Sequence, residues 1–222
     1  MKRFARRLVG LFKRDPEYFM GRVKGVIHIG ANIGQERDSY ASKGLNVLWI
    51  EPIPVVFGRL KDRIEHYPDQ RAVNRLVTDV DGKEYSFHLS SNDGASSSIY
   101  NLADHMKIWP EVTFTETIRL ESITLASLVE RERIDLDKYD AMILDTQGSE
   151  LLVLKGAATL LHRFAFIKTE AADFESYEGC CRLADIDDFL QDRDFKRTAT
   201  KRVAHKAGVG SYFEVSYERH AR

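Results

Sequence analysis

VIHIGANIGQE, at residues 26–36, is the stretch that decides the fold. Residues 23–29 form an apolar run that indicates a buried strand, and residues 35–43 have the pattern of a helix. Between them, Gly30 allows a tight turn and a close approach of a ligand to the backbone. The N-terminus of the following helix offers N–H groups and positive potential to an anion. A Gly-x-Asn-x-Gly turn is common between strand and helix, so this loop predicts a ligand site only together with other features.

Outward from this loop, strand and helix patterns alternate along the chain. Strands are expected at residues 23–29, 47–50, 72–77, 84–90, 141–144 and 165–167. Helices are expected at residues 35–43, 54–66, 124–133, 149–162 and 183–192. A flexible Ser/Asn/Gly stretch is expected at residues 90–98, and a final hairpin at 195–203 and 210–217. Apolar strands separated by helices indicate a parallel sheet that is covered on both faces. The predicted class is therefore α/β, with a Rossmann-like, mostly parallel sheet into which the hairpin inserts one antiparallel strand at the edge.

The composition is that of an ordinary globular chain. Its 222 residues are 43% hydrophobic and 30% charged, with a net charge of -1, which argues against a general nucleic-acid binder. Its two cysteines, Cys180 and Cys181, are adjacent, and we interpret them as reduced thiols. This length suits a single domain. We predict that the domain spans residues 21–222 and that a basic arm, residues 1–20, precedes it.

The first fourteen residues, MKRFARRLVGLFKR, alternate basic and apolar side chains. On a helix they would form an apolar stripe opposite a basic face, as in helices that lie on membrane surfaces. A helical arm that packs on the domain is the simpler alternative. The apolar run is too short for a signal peptide or a membrane span. We therefore expect a cytoplasmic protein, with peripheral membrane contact through residues 1–14 as an open alternative.

Polar residues follow the predicted strands at the edge where open parallel sheets bind ligands. Glu51 comes 21 residues after Gly30, at the end of the second strand. A carboxylate in that place accepts hydrogen bonds from the two hydroxyls of an adenosine ribose. The alternative is a solvated charge before Pro52. The glycine turn and Glu51 together predict a site for a nucleoside-containing cofactor.

Three further side chains are candidates for proton transfer. Asp145 ends an apolar strand, where it either faces the reaction site or caps the following helix. Glu170 ends the next strand and is a candidate base on the acceptor side. His88, on an alternating strand, is expected at the surface and is the third candidate. The remaining histidines lack metal-ligand spacing, and we predict no metal site.

Four segments resemble the FkbM-type methyltransferases, a branch of the class I family that depends on S-adenosylmethionine. They are VIHIGANIGQE at 26–36, VLWIEPIP at 47–54, SNDGASSSI at 91–99 and YDAMILDTQGSELLVLKGA at 139–157. Together they cover about 130 residues, and the last string is the most distinctive. The resemblance implies the class I sheet with its antiparallel final strand, and O-methylation of a sugar or small natural-product hydroxyl.

The resemblance also implies roles for individual residues. Gly30, Asn32 and Gly34 would hold the methionine end of the cofactor, Glu51 the ribose, and Thr78-Asp79 would lie beside the adenine, with Asp145 at the floor of the reaction site. The predicted cofactor site comprises His28, Gly30, Ala31, Asn32, Gly34, Gln35, Glu51, Pro52, Thr78, Asp79 and Asp145. The chain departs from the family pattern at His28, where many members have aspartate, at Ile143, where many have lysine, and at Gln147, where many have glutamate.

Two other functions stay open at this stage. One is a cofactor-binding domain without catalysis, and the other is a nicotinamide-dependent oxidoreductase. The terminal hairpin and the lack of a full Gly-x-Gly-x-x-Gly motif count against the oxidoreductase. The expected partner is a small-molecule or saccharide acceptor rather than nucleic acid.

Overall fold

A seven-stranded sheet is the centre of the computed structural model, which describes residues 15–220. The strands are β1 (Gly25–Ile29), β2 (Asn46–Ile50), β3 (Gln70–Val73), β4 (Leu76–Val77), β5 (Glu84–Ser90), β6 (Phe114–Ile123), β7 (Ala141–Leu144), β8 (Phe166–Ala172), β9 (Phe195–Lys206) and β10 (Gly210–Arg219). The helices are α1 (Arg37–Ser42), α2 (Pro54–Ile64), α3 (His105–Ile108), α4 (Leu125–Arg131), α5 (Glu150–Gly156) and α6 (Leu183–Gln191), with 3-10 turns at Leu136–Lys138 and Leu161–Arg163.

The order of strands in the large sheet is β3-β2-β1-β7-β8-β10-β9. Strands β1, β2, β3, β7 and β8 pair in parallel, and β10 lies antiparallel between β8 and β9. A second sheet has the order β4-β6-β5. The predicted α/β class, with a mostly parallel sheet and an antiparallel strand near the C-terminus, is confirmed.

Both faces of the large sheet are covered, as its apolar strands predict. On one face, Ile27 and Met142 pack in a cluster with side chains of α4, α5 and α6. On the other face, Trp49 and Ile143 pack with Tyr40 from α1 and with side chains of α2. Because successive residues of a strand point to opposite faces, each buried strand contributes to both clusters. This two-sided core holds the carboxyl ends of β1, β2 and β7 side by side.

Residues 15–20, which the sequence assigns to the arm, lie against the sheet. Phe19 and Met20 are buried, and the Phe19 ring stacks on Phe166 with 4.9 Å between ring centroids. The Ser216 hydroxyl donates a hydrogen bond of 2.5 Å to the carbonyl of Pro16. Residues 1–14, where the basic amphipathic pattern lies, are outside the described residues. Between residues 15 and 220, no helix is long and apolar enough to cross a membrane.

Two local predictions are wrong, and one element was missed. The strand expected at residues 72–77 is two strands, because the chain leaves the large sheet after Val73 and Leu76–Val77 pairs with β6 in the small sheet. Strand β6 was not predicted. The stretch at residues 90–98 is held by hydrogen bonds: Ser96, Ser97 and Ser98 are buried, and the Ser98 hydroxyl donates to the carbonyl of Gln147 at 2.7 Å.

Candidate functional site

An open cleft of about 740 Å³ lies at the carboxyl ends of β1, β2 and β7. The loop after β1 forms one wall, and the turn after β7 forms another. An apolar group closes the far end and comprises Ile53, Leu76, Val77 and Phe87. The cleft is therefore at the edge of the sheet where the sequence predicts a cofactor.

The loop after β1 is pinned to both neighbouring strands. The N–H groups of Gly30 and Ala31 donate to the carbonyl of Ile50, at 3.0 and 3.1 Å. Gly30 has a φ of +84°, and a Cβ built on it would lie 1.8 Å from the carbonyl oxygen of Asp145. Only glycine allows the two backbones to approach so closely. Because the two backbones lie so close together, the loop and Asp145 border the floor of the cleft from opposite sides.

The Glu51 carboxylate is held at the floor of the cleft by backbone donors. Its side chain is 3% exposed, and its two oxygens accept hydrogen bonds from the N–H groups of Asn32, at 2.8 Å, and Ile53, at 2.9 Å. Burial raises the pKa of Glu51 to about 7, the two N–H groups act against that shift, and the charge of Asp145 adds to it. The carboxylate is thus fixed in position, and the oxygen lone pairs that remain are available to a ligand.

His28 is a buried, neutral side chain in the wall of the cleft. Its ring lies 5.0 Å from the ring of Trp49, and its Nδ1 is 3.3 Å from the Tyr40 hydroxyl. Burial, with a smaller effect of the Lys168 charge, lowers the pKa of His28 to about 3. At neutral pH this position therefore carries no charge.

Asp145 is oriented by a chain of hydrogen bonds. Its side chain is open to the cleft, and its Oδ1 accepts a hydrogen bond of 2.6 Å from the Gln147 amide. The hydroxyl of Tyr177 donates to Oε1 of Gln147 at 2.7 Å. Burial in the surrounding protein raises the pKa of Asp145, and the Gln147 amide acts in the opposite direction. The N–H groups of Thr146 and Gly148 donate to Glu150, so Glu150 rather than Asp145 accepts from the turn that precedes α5.

A smaller, shallow pocket adjoins the cleft at Gln147, which lines both. Glu170, Tyr177 and Tyr212 form part of its wall. Burial, together with the negative charges of Asp145 and Glu150, raises the pKa of Glu170 to about 8. Asp145 in the cleft and Glu170 in the smaller pocket therefore lie on either side of Gln147.

Most of the predicted cofactor residues line the cleft, namely His28, Gly30, Ala31, Asn32, Gln35, Glu51, Pro52 and Asp145. Gly34 lies behind the loop, where a Cβ would be 2.7 Å from a methyl carbon of Leu60. Thr78 and Asp79 are not at the cleft. Thr78 is fully buried beneath α5, where a Cβ on Gly156 would meet its carbonyl oxygen at 2.0 Å. Residues 75–77 occupy the wall instead, because the chain has already left the large sheet.

His88 does not reach the cleft either. Its Nδ1 lies 2.9 Å from the Thr117 hydroxyl, and its ring stacks on Phe114 at 5.0 Å. Its neighbour Phe87 lines the cleft, and alternation along β5 turns His88 to the other face.

Three charged residues were missed from the sequence: Glu36 and Arg75 in the wall of the cleft, and Lys168 near it. Glu36 lines the cleft next to the first loop. Lys168 lies beside Ile143 in the register of β7 and β8, and its ammonium pairs with Glu17 at 2.9 Å and Glu214 at 3.2 Å. A lysine is therefore present one strand away from the position where many FkbM members carry one. Across residues 15–220, no group of three or more His, Cys, Asp or Glu side chains is arranged to hold a metal ion.

Comparison with solved structures identifies the fold. Magnesium protoporphyrin IX methyltransferase from Synechocystis PCC 6803, crystallised with S-adenosylmethionine, matches with a TM-score of 0.50 at 13% identity, over 88% of this chain and 69% of that one. The METTL16 methyltransferase domain matches with a TM-score of 0.53 at 12% identity, over 92% and 65%. The sheet is therefore that of the class I S-adenosylmethionine-dependent methyltransferases, as the sequence predicts.

Sequence comparison identifies the family. A curated relative, the 2-O-methyltransferase NoeI of Sinorhizobium fredii, is 27% identical over 173 residues, which are 74% of this chain and 70% of the relative. The model of the methyltransferase FkbM domain matches residues 28–197, which include the end of β1, the loop after it, and strands β2 and β7. The chain belongs to the FkbM family of S-adenosylmethionine-dependent methyltransferases.

Proposed function

We propose that this protein transfers the methyl group of S-adenosylmethionine to a hydroxyl of a saccharide or another small acceptor. The observation that carries the proposal is the buried Glu51 carboxylate, which two backbone N–H groups fix at the floor of the cleft. A fixed acceptor of this kind suits the two hydroxyls of a ribose. The relative NoeI is a 2-O-methyltransferase, which supports oxygen as the methylated atom.

In this proposal the cofactor lies along the cleft. Glu51 binds the ribose, and the loop at residues 30–34 with Gln35 holds the methionine end. The adenine lies among Ile53, Leu76, Val77 and Phe87, whose apolar surfaces suit a planar base. Thr78 and Asp79 have no part in the site, because they lie away from the cleft.

The cofactor supplies an activated methyl group, so the protein mainly has to align the acceptor and remove its proton. Asp145 and Glu170 are the candidate bases, and the structure gives no reason to retain His88. We assign the acceptor to the smaller pocket beside Gln147, which makes Glu170 the acceptor-side base. Asp145, held by Gln147, borders the methyl end of the cleft.

Calorimetry with S-adenosylhomocysteine and with NAD tests the cofactor assignment. We expect micromolar binding of S-adenosylhomocysteine and no measurable heat with NAD. Micromolar binding of NAD without binding of S-adenosylhomocysteine would overturn the proposal. A screen of sugars and glycosides for acceptor-dependent release of S-adenosylhomocysteine then separates a methyltransferase from a binding domain without catalysis.

Glu170→Gln tests the assignment of the base. Removal of a general base typically lowers the rate by a factor of about 10² to 10⁴. We expect kcat with the best acceptor of that screen to fall by at least about 100-fold, while the Kd for S-adenosylhomocysteine is unchanged, because Glu170 does not line the cleft. Glu178→Gln, an exposed carboxylate outside both spaces, is the matched control. Equal turnover by Glu170→Gln and the control would exclude Glu170 as the base.

A further inference from the structure

Glu36 presents a carboxylate oxygen for which residues 15–220 offer no hydrogen-bond partner. The residue directly precedes α1, and its side chain lies in the wall of the cleft, which Asp145 also lines. Its Oε2 is buried and accepts no hydrogen bond from any residue between 15 and 220. A buried carboxylate without a donor is costly, so such groups are normally paired or hydrogen-bonded.

The surrounding charges do not provide the missing partner. Burial raises the pKa of Glu36, its own N–H group acts against that shift, and the charge of Asp145 adds to it. Lys168 acts in the opposite direction, but its ammonium is already shared between Glu17 and Glu214. His28 is neutral. This corner of the cleft therefore has an excess of negative charge that a cationic ligand would balance.

We infer that Glu36, together with Asp145, receives the α-ammonium group of the cofactor's methionine moiety. The inference rests on the proposed function, in which the loop at residues 30–34 holds the methionine end. The cofactor has two cationic groups, and only the ammonium has N–H donors to satisfy a carboxylate oxygen. In this inference the Glu36 carboxylate turns toward the cleft to meet the ammonium group. Glu36 then supplies the acidic group that this loop lacks at His28.

Calorimetry on the full chain with two ligands tests this role. S-adenosylhomocysteine carries the amino-acid end, whereas 5′-methylthioadenosine has the same nucleoside and a sulfur atom but no ammonium. A charge-assisted hydrogen bond contributes enough for at least about a tenfold change in Kd. We expect Glu36→Gln to raise the Kd for S-adenosylhomocysteine by about 10- to 100-fold. The Kd for 5′-methylthioadenosine should stay within about twofold of the wild-type value.

Glu65→Gln is the control, since Glu65 is an exposed carboxylate at the end of α2 and lies outside the cleft. We expect it to bind both ligands as the wild type does. Unchanged binding of S-adenosylhomocysteine by Glu36→Gln would overturn the inference, and so would an equal loss for both ligands, which would indicate a change in the nucleoside half. If the wild type binds neither ligand, the proposed function itself fails.

Discussion

Gly30→Ala is expected to abolish measurable binding of S-adenosylhomocysteine and to lower the free energy of unfolding by at least about 3 kcal/mol. A left-handed conformation alone costs an L-residue about 1–3 kcal/mol. Here the added Cβ would also lie 1.8 Å from the carbonyl oxygen of Asp145. That carbonyl has little room to move, because the N–H group of Asp145 donates to Ile29 at 3.0 Å and β7 pairs with β1. The expected fall in Tm is about 6–12 °C.

Gly44→Ala separates the clash from the backbone strain. Gly44 has a φ of +66°, similar to that of Gly30, but a Cβ there meets nothing within 4 Å. We expect the smaller fall in Tm that the backbone strain alone produces, and wild-type binding of S-adenosylhomocysteine. Thermal unfolding and calorimetry on both variants give the comparison. If Gly30→Ala were as stable as Gly44→Ala and bound ligand equally well, the close contact of the two backbones would be wrong.

Glu51→Ala is expected to raise the Kd for S-adenosylhomocysteine by at least about 100-fold. The change removes a charged acceptor for the ribose hydroxyls, and each such hydrogen bond contributes about 1.5–3 kcal/mol. It also leaves the N–H groups of Asn32 and Ile53 without an acceptor. To isolate the ribose contact, the Kd for S-adenosylhomocysteine is compared with that of its 2′-deoxy analogue. We expect the wild type to discriminate between the two ligands and Glu51→Ala to bind them equally.

The pH dependence of binding gives an independent check on Glu51. Its pKa is raised to about 7, so the carboxyl group is protonated below that pH and ionised above it. Ribose hydroxyls donate to the ionised form, and affinity should therefore rise about tenfold between pH 6 and pH 8. Glu51→Ala should lose the part of this rise that is centred near pH 7. Binding by Glu51→Ala within threefold of the wild type would remove the ribose assignment.

The parts of the fold that local pattern determines were predictable. Strands β1, β2 and β7 are short apolar runs that end in glycine or acidic residues, and their order places these ends together once a parallel sheet is assumed. The helix expected at residues 124–133 is α4, and the Thr124 hydroxyl caps it by accepting a hydrogen bond from the N–H group of Ser127 at 3.1 Å. The loop and Glu51 were found because each directly follows such a strand.

Errors arose where long-range pairing decides the structure. Thr78 and Asp79 were assigned to the adenine because residues 72–77 look like one strand, but pairing of Leu76–Val77 with β6 takes the chain out of the large sheet. Strand β6 has the alternation of a half-exposed strand in Ile118 and Leu120, a signal that was present in the sequence and was not used. The face of β5 that meets the cleft depends on this same pairing, and so does the position of His88.

Glu36 and Lys168 were missed for a different reason. Neither one ends a strand, so a search of the positions that follow strands passes over both. Glu36 becomes notable only when its oxygen is found buried without a donor, and Lys168 only when the register places it beside Ile143. Features of this kind depend on packing between distant segments, which a single sequence does not reveal.

The insertion of β10 between β8 and β9 has a consequence for self-association. It leaves β9, a strand of twelve residues, as the last strand at that end of the large sheet. A long strand in this position presents backbone donors and acceptors that can pair with a strand of another copy. Five of its side chains are basic: Lys196, Arg197, Lys201, Arg202 and Lys206. Their mutual repulsion between neighbouring copies opposes such pairing.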